Sequence, residues 1–253
     1  MSLNWDDHSP DNTEKLSRAL GYPYDIPDHS YIVHNDSISL MRRDEAVSLR
    51  QGRTPVLAVG SNQSPAQMMR KFRGPDWHPI PCERCIVHDF DTVFSAHIAH
   101  YGSVAATLHP SIGTAVTLFI NWLHEDHIPR MHATELGNEN YVFAELEDIK
   151  IETEFGLDLS RVYFYRGNAG AFAPDGTPIP LAEVAAENRK WKAHRQTDIQ
   201  GKLHQLLLPD IHLEEFILSA ISDSDTRQKR ANFMRENVIH FEHPSLKVIK
   251  DEM

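Results

Sequence analysis

Hydrophobic and polar positions divide the chain into three regimes. Residues 1 to 53 are polar and broken by Pro10, Pro23 and Pro27, with one helix predicted from Asp44 to Arg50. From Pro55 to about Arg166 the apolar residues gather in short β-rich runs: Cys85 to His97, Ala105 to His109, Ala115 to Leu123, Tyr141 to Ile151 and Arg161 to Tyr165. Gly102, Pro110-Ser111-Ile112-Gly113 and Gly156 stand between these runs, a spacing that predicts a compact antiparallel sheet or barrel. Two helices interrupt it, one after Ser64 and one before Gly137. Beyond a Gly- and Pro-rich stretch from Gly167 to Pro180, Leu181 to Leu208 and Leu213 to Glu236 carry helical spacing. The expected class is α+β, a small mixed β-barrel or sheet with flanking helices. The organisation is an N-terminal extension (1–53), a barrel domain (54–166) and a loop plus helical C-terminal extension (167–253).

Within the barrel segment, Val56-Leu57-Ala58-Val59-Gly60-Ser61-Asn62-Gln63-Ser64-Pro65-Ala66-Gln67 reads as a buried strand turning through glycine into a helix. Ser64 is a strong N-cap, Pro65 suits the first helical position and Gln67 completes a capping box. Gly60 is expected to take a backbone conformation that side chains forbid. Such a loop and helix start would aim backbone N–H groups at one spot, where the helix dipole favours a carboxylate or developing oxyanion.

The second informative segment runs from Leu123 to Gly137. Ile128, Met131 and Glu135 follow helical spacing, so an inward apolar stripe continues into an acid. A carboxylate without partners there costs several kcal/mol as an order of magnitude. Either Glu135 reaches solvent or an arginine from the helix end, or it is a general base in a cleft.

Charge narrows the partners. Lys and Arg number 25 against 36 Asp and Glu, a formal charge of −11, which on average repels nucleic acid and anionic membranes. No apolar run has the length of a membrane span, and the first residues lack the basic and apolar parts of a signal peptide, so a cytoplasmic location is expected. Only two cysteines occur, too few for a disulfide framework. Cys82-Glu83-Arg84-Cys85, flanked by His78 and His88, has redox or zinc spacing, but no second C-x-x-C exists and small buried residues are the plainer reading. Sixteen histidines include pairs three apart, such as His124 and His127, and most read as surface groups. The H-E-x-x-H zinc pattern and the G-x-S-x-G elbow are both absent. Lys190, Trp191, Lys192 and Arg195 read as a solvated helix face.

In their order, several pieces resemble the γ-glutamylcyclotransferase-like family. Val59-Gly60-Ser61-Asn62 is similar to its Y-G-S-N loop, and Asp89-Phe90-Asp91-Thr92-Val93-Phe94 to its D-F-x-x-x-F strand. Gly102, Ala106-Thr107 and Pro110-Ser111-Ile112-Gly113 are similar to its glycine, A-T and P-S-x-G elements. Met131-His132-Ala133-Thr134-Glu135-Leu136-Gly137 is similar to the helix L-x-x-x-E-G that carries its acid, and Tyr141 to a tyrosine shortly after it. The likeness covers about residues 54 to 166. It departs at Val59, where an aromatic is usual, at Gln63, at Leu136, and in the offset of Tyr141.

The resemblance implies an enzyme, a transferase or lyase, that cleaves a γ-glutamyl or similar acyl amide by intramolecular amine attack and releases 5-oxoproline and an amine. Glu135 would be the general acid/base. Val59, Gly60, Ser61 and Asn62 would cradle the oxyanion or α-carboxylate, and Tyr141 would position the substrate. The expected partner is a small molecule with free amino and carboxylate groups, with no cofactor and no metal; a homo-oligomer is compatible. The alternative is a noncatalytic small-molecule-binding or sensor protein using the same pocket.

Overall fold

The computed structural model describes residues 10–74, 77–137 and 140–249. The N-terminal segment contributes helix α1 (Asn12–Leu20), strands β1 (Tyr31–His34) and β2 (Ser37–Leu40), and helix α2 (Arg43–Arg50). The middle of the chain supplies β3 (Thr54–Ala58), α3 (Pro65–Lys71), β4 (Ile80–Ile98), β5 (Val104–Leu123), α4 (His127–Glu135), β6 (Tyr141–Thr153) and β7 (Asp158–Gly167). The rest forms β8 (Ala171–Phe172), β9 (Ala186–Glu187), α5 (Gln196–Leu207), α6 (Leu213–Ser222), α7 (Ser224–Arg235), β10 (Val238–Ile239) and β11 (Leu246–Val248).

Five strands close a mixed barrel in the order β4-β5-β3-β7-β6, with β6 returning to β4. β3 and β7 run parallel; the other barrel pairs are antiparallel. Side-chain alternation explains the two sides of the wall. Leu57 faces the barrel interior with Cys85, Phe94, Leu118, Leu146 and Phe164. Its neighbours Val56 and Ala58 face outward with Phe119, Phe143 and Tyr165, where Met68 and Phe72 of α3 and Ile128 and Met131 of α4 cover them. The two helices are thus fixed on the outer wall by their apolar stripes.

Several expectations need correction. The Pro110 to Gly113 stretch is not a turn between two strands: β5 continues through it, and the irregularity is a bulge opposite Asp89. Asp89 takes a φ of 65° and its carboxylate accepts the Gly113 N–H at 2.7 Å, which holds the extra residues on the β5 side. The first 53 residues are richer in structure than one helix. Asp11 and Glu14 form a reciprocal capping box that starts α1, and β1 extends the sheet by pairing with β4. After Gly167, residues 181–195 are not helical; Leu181 bridges His194, and Arg189 reaches back to Asp91 with Nε 3.0 Å from Oδ2. The apolar run from Leu213 is split at Asp223, whose carboxylate accepts from the N–H groups of Asp225 and Thr226 and starts a new helix. β8, β9, β10 and β11 return the C-terminal segment to the sheet. Among the described residues no helix is long and apolar enough to cross a membrane.

The two cysteines do not face each other. Three residues apart on one strand, they point to opposite sides of the wall, Cys85 into the barrel and Cys82 outward. Both thiols are free, and burial pushes Cys82 up to about 12 and raises Cys85 as well, so neither is a thiolate at neutral pH.

Candidate functional site

The segment after β3 does turn sharply, but not as a capped helix start. Ser61–Gln63 forms a short 3-10 turn, its chain held by Gln63 N–H to Gly60 O at 3.2 Å and Ser64 N–H to Ser61 O at 2.9 Å. Ser64 is the N-cap of α3 by position only; its hydroxyl is buried without a hydrogen bond, and no capping box forms with Gln67. Gly60 has a φ of −120°, outside the left-handed region. Glycine is needed there for room. A methyl group built at residue 60 would overlap the Tyr22 hydroxyl oxygen and sit 3.2 Å from its Cζ. Tyr22, from the N-terminal segment, stands against the loop with its oxygen accepting the Ala106 N–H at 3.0 Å.

Glu135 closes the last turn of α4 and meets this loop. Asn62 Nδ2 donates to Glu135 Oε1 at 2.9 Å. Lys71, at the end of α3, forms an ion pair with the same oxygen, its side chain 8% and that of Glu135 13% exposed. The two helices are tied again where Arg130 Nε donates to the Lys71 carbonyl at 2.8 Å. Among the described residues no hydrogen bond reaches Glu135 Oε2. Asn62 Oδ1 is buried and unpartnered, while the Asn62 carbonyl accepts from Asn121 Nδ2 at 3.2 Å. Buried polar atoms without partners are rare, so the free Asn62 oxygen marks a place for an outside donor.

Four phenols lie within the electrostatic reach of the carboxylate. Burial raises the hydroxyls of Tyr22, Tyr101, Tyr141 and Tyr165 well above the usual tyrosine range, and the negative charge of Glu135 adds to each shift. All four remain protonated donors. Tyr165 is oriented by His132 Nδ1, 2.8 Å from its hydroxyl, and Tyr141 opens β6 opposite Gly167. Beside Tyr141 lies His97, ring centroids 6.3 Å apart; burial holds that imidazole down at about 4, and the nearby Arg235 and Arg227 push the same way.

Of the residues singled out from sequence, the structure brings Asn62 to Glu135 and places Tyr141 within its field, with Gly60 and Ser61 in the same turn as Asn62. Val59 differs in kind: it is core, 8% exposed, and its carbonyl is taken by Gln63 Nε2 at 3.1 Å. Lys71 and Tyr22 were not anticipated. For Lys71 a signal existed, because the inward stripe Gln67, Met68, Lys71 on α3 ends in a charge just as that of α4 does. Tyr22 left none. Nor are all histidines on the surface: His127 is fully buried, and His109 and His204 nearly so. Two surface cavities, of about 230 and 570 Å³, lie away from Glu135; the smaller is lined by Asn140, next to Tyr141, with Asn168, Arg235 and His240. Beside Gly60 the space is taken by the Tyr22 hydroxyl.

No family model matches the chain, and no curated protein matches it. Among solved structures, the chain is similar to one described as gamma-glutamyl cyclotransferase, at 18% identity over 46% of this chain and 66% of that one, just under two thirds of its length, with a TM-score of 0.35. An uncharacterized protein from Homo sapiens aligns at 16% identity over 47% of this chain and 68% of its own, TM-score 0.37. YkqA from Bacillus subtilis aligns at 14% identity over 89% of this chain and 75% of its own, TM-score 0.36.

Proposed function

We propose that the protein is a cyclotransferase-like enzyme that cleaves a γ-glutamyl or similar acyl amide by attack of the substrate's own amine, releasing 5-oxoproline and an amine. The observation that carries this reading is the 2.9 Å hydrogen bond from Asn62 to Glu135, which joins the small-residue loop to the acid in one sheltered site. The resemblance of both segments to the γ-glutamylcyclotransferase-like motifs supports the same assignment.

In this reading the substrate's α-ammonium binds to Glu135 Oε2 and to Asn62 Oδ1, the latter buried without a partner. Lys71 Nζ spends two of its three N–H donors on Glu135 and Met131 Sδ, leaving one for the α-carboxylate. Glu135 takes a proton from the ammonium; the freed amine attacks the γ-carbonyl carbon, and a C–N bond forms. N–H groups of the Gly60 loop or a neutral phenol donate to the oxyanion. Collapse breaks the original amide C–N bond, and Glu135 returns its proton to the departing nitrogen. The proton still on the attacking nitrogen leaves to solvent or to the released amine. Because both reacting groups belong to one molecule, most of the catalytic task is holding a folded substrate conformer.

The same ion pair favours a second reading, a binding protein that senses a small amino acid derivative, since a carboxylate already held by Lys71 is a well-formed ammonium and carboxylate receptor without turnover. One assay separates the two. Wild type and Glu135→Gln are incubated with γ-glutamyl amides and 5-oxoproline is measured, with circular dichroism as the folding control. The enzyme reading expects release by wild type and its loss in the variant. Equal release by both overturns Glu135 as the base, and thermal stabilisation by ligands that are never consumed favours the sensor.

A further inference from the structure

Opposite Glu135, at the N-terminal end of the same helix, His78, His124 and Asp126 converge. One donor atom from each lies within 4.8 Å of the other two. Asp126 Oδ2 is 3.3 Å from His124 Nδ1 and 3.7 Å from His78 Nε2, and the two imidazole centroids are 4.3 Å apart. Zinc holds nitrogen and oxygen ligands at about 2.0 to 2.2 Å in a tetrahedron, which sets neighbouring donors roughly 3.4 Å apart. Two edges of the triangle are near that value, and the third closes by a turn of the exposed His78 ring.

Three further features make these side chains more than a surface coincidence. Asp126 occupies the N-cap position of α4, yet its carboxylate makes no capping hydrogen bond and is free to ligate. The Asp126 N–H donates to His124 Nδ1 at 3.4 Å, which makes Nδ1 the unprotonated nitrogen, whose lone pair would exchange this long hydrogen bond for a metal. Beneath them sits His127, fully buried against the rings of Phe72 and Trp77 at 5.3 and 5.9 Å. His127 Nδ1 accepts the His124 N–H at 3.0 Å, so its Nε2 carries the proton and donates to the His78 carbonyl at 3.0 Å. One buried ring therefore pins the backbones of both histidine ligands.

We propose that His78, His124 and Asp126 bind a zinc ion, with water in the fourth position, and that the ion clamps the segment leading into β4 onto the start of α4. The clamp joins the chain that follows α3 to the helix bearing Glu135, and so braces the two elements that hold Lys71 and Glu135. Its role is structural, independent of the proposed reaction, in which no step passes through it. The carboxylate and the acidic chain offset the unfavourable placement of a cation at a helix N-terminus.

The test is titration of metal-stripped, tag-free full-length protein with zinc chloride by calorimetry, with thermal unfolding in parallel. Wild type is expected to bind one equivalent and to gain thermal stability. His78→Ala, which keeps the carbonyl that His127 contacts, and Asp126→Asn should each weaken binding about tenfold or more. His29→Ala, at an exposed histidine paired with Asp28, should bind as wild type does. Absence of saturable binding in wild type, or an unchanged affinity in His78→Ala, would overturn the site.

Discussion

Glu83 and Glu135, two of the acids withdrawn from water on this barrel, are treated in opposite ways. Glu83, on β4, is fully buried and completely used: Oε2 accepts from Arg50 Nε at 2.9 Å and Trp122 Nε1 at 3.0 Å, while Oε1 accepts from Arg50 and from the Phe155 N–H at 3.3 Å. Glu135 has one oxygen held by Lys71 and Asn62 and the other without a partner. A carboxylate whose lone pairs are all spent inside the fold can only hold the fold together. One that is half spent is kept in position with its remaining capacity turned outward, which is what a ligand or a proton transfer requires.

The largest effect that breaks this comparison is on activity. If Glu135 is the acid/base, Glu135→Gln keeps the shape and the Asn62 contact but cannot accept a proton. Turnover of a γ-glutamyl amide should fall by about 10²- to 10⁴-fold, the range of positioned general acid–base catalysis, and the urea midpoint should fall as well, because Lys71 is left against a neutral amide. Glu83→Gln should change stability alone. It leaves the Arg50 guanidinium buried against a neutral amide, so unfolding stability should drop by about 3 kcal/mol in chemical denaturation while the Asn62–Glu135 bond stays in place. A Glu83→Gln variant as stable as wild type would remove the contrast between the two acids.

How far sequence exposed this contrast depends on how local each signal is. The α4 stripe is local, so Ile128, Met131 and Glu135 put an acid on an inward-facing stripe without any knowledge of its surroundings, and left open whether it reached solvent or a cleft. The strand and turn around Val56 to Asn62 were legible for the same reason. What the stripe could not contain was the partner: Lys71 is 64 residues away in sequence and meets Glu135 only because α3 and α4 lie side by side on the outer wall. The Glu83 site was hidden inside a C-x-x-C motif that drew attention to the cysteines around it. Ser64 and Gln67 misled in another way, since a capping-box sequence was overridden by the 3-10 turn that precedes α3. Pro110 to Gly113 read as a turn because the residues that favour turns also favour a bulge, and only pairing with Asp89 across the ladder separates them.

Gly60 gives a finer probe of the loop beside Glu135. Gly60→Ala pushes a methyl into the Tyr22 hydroxyl and should cost about 2 kcal/mol, typical of overpacking a well-filled site. Tyr22→Phe removes the acceptor of the Ala106 N–H and should cost about 1 kcal/mol. Combined, the two should cost less than their sum, because the hydroxyl that clashes is gone and the remaining Cζ distance of 3.2 Å needs only a small shift. Strict additivity in a double-mutant cycle would mean that the loop rearranges and that Tyr22 does not shape it.

The smallest predicted effect concerns pH. His97 and His109 are held down at about 4 by burial, against an ordinary value near 6.5. Between those values the unfolded chain binds protons that the folded protein refuses, so stability is fully present above about pH 6.5 and is lost as pH falls toward about 4. Most carboxylates titrate only at the acid end of this window, which leaves its upper part to the histidines. His109 suits the test because it stands apart from Glu135, against Trp191 at 6.0 Å, with Nδ1 buried and unpartnered. His109→Gln should flatten the fall in urea midpoint between pH 6.5 and 5 without altering turnover at neutral pH. An unchanged slope would show that His109 takes up its proton in the folded state, and that the ring is less enclosed than its neighbours in the wall.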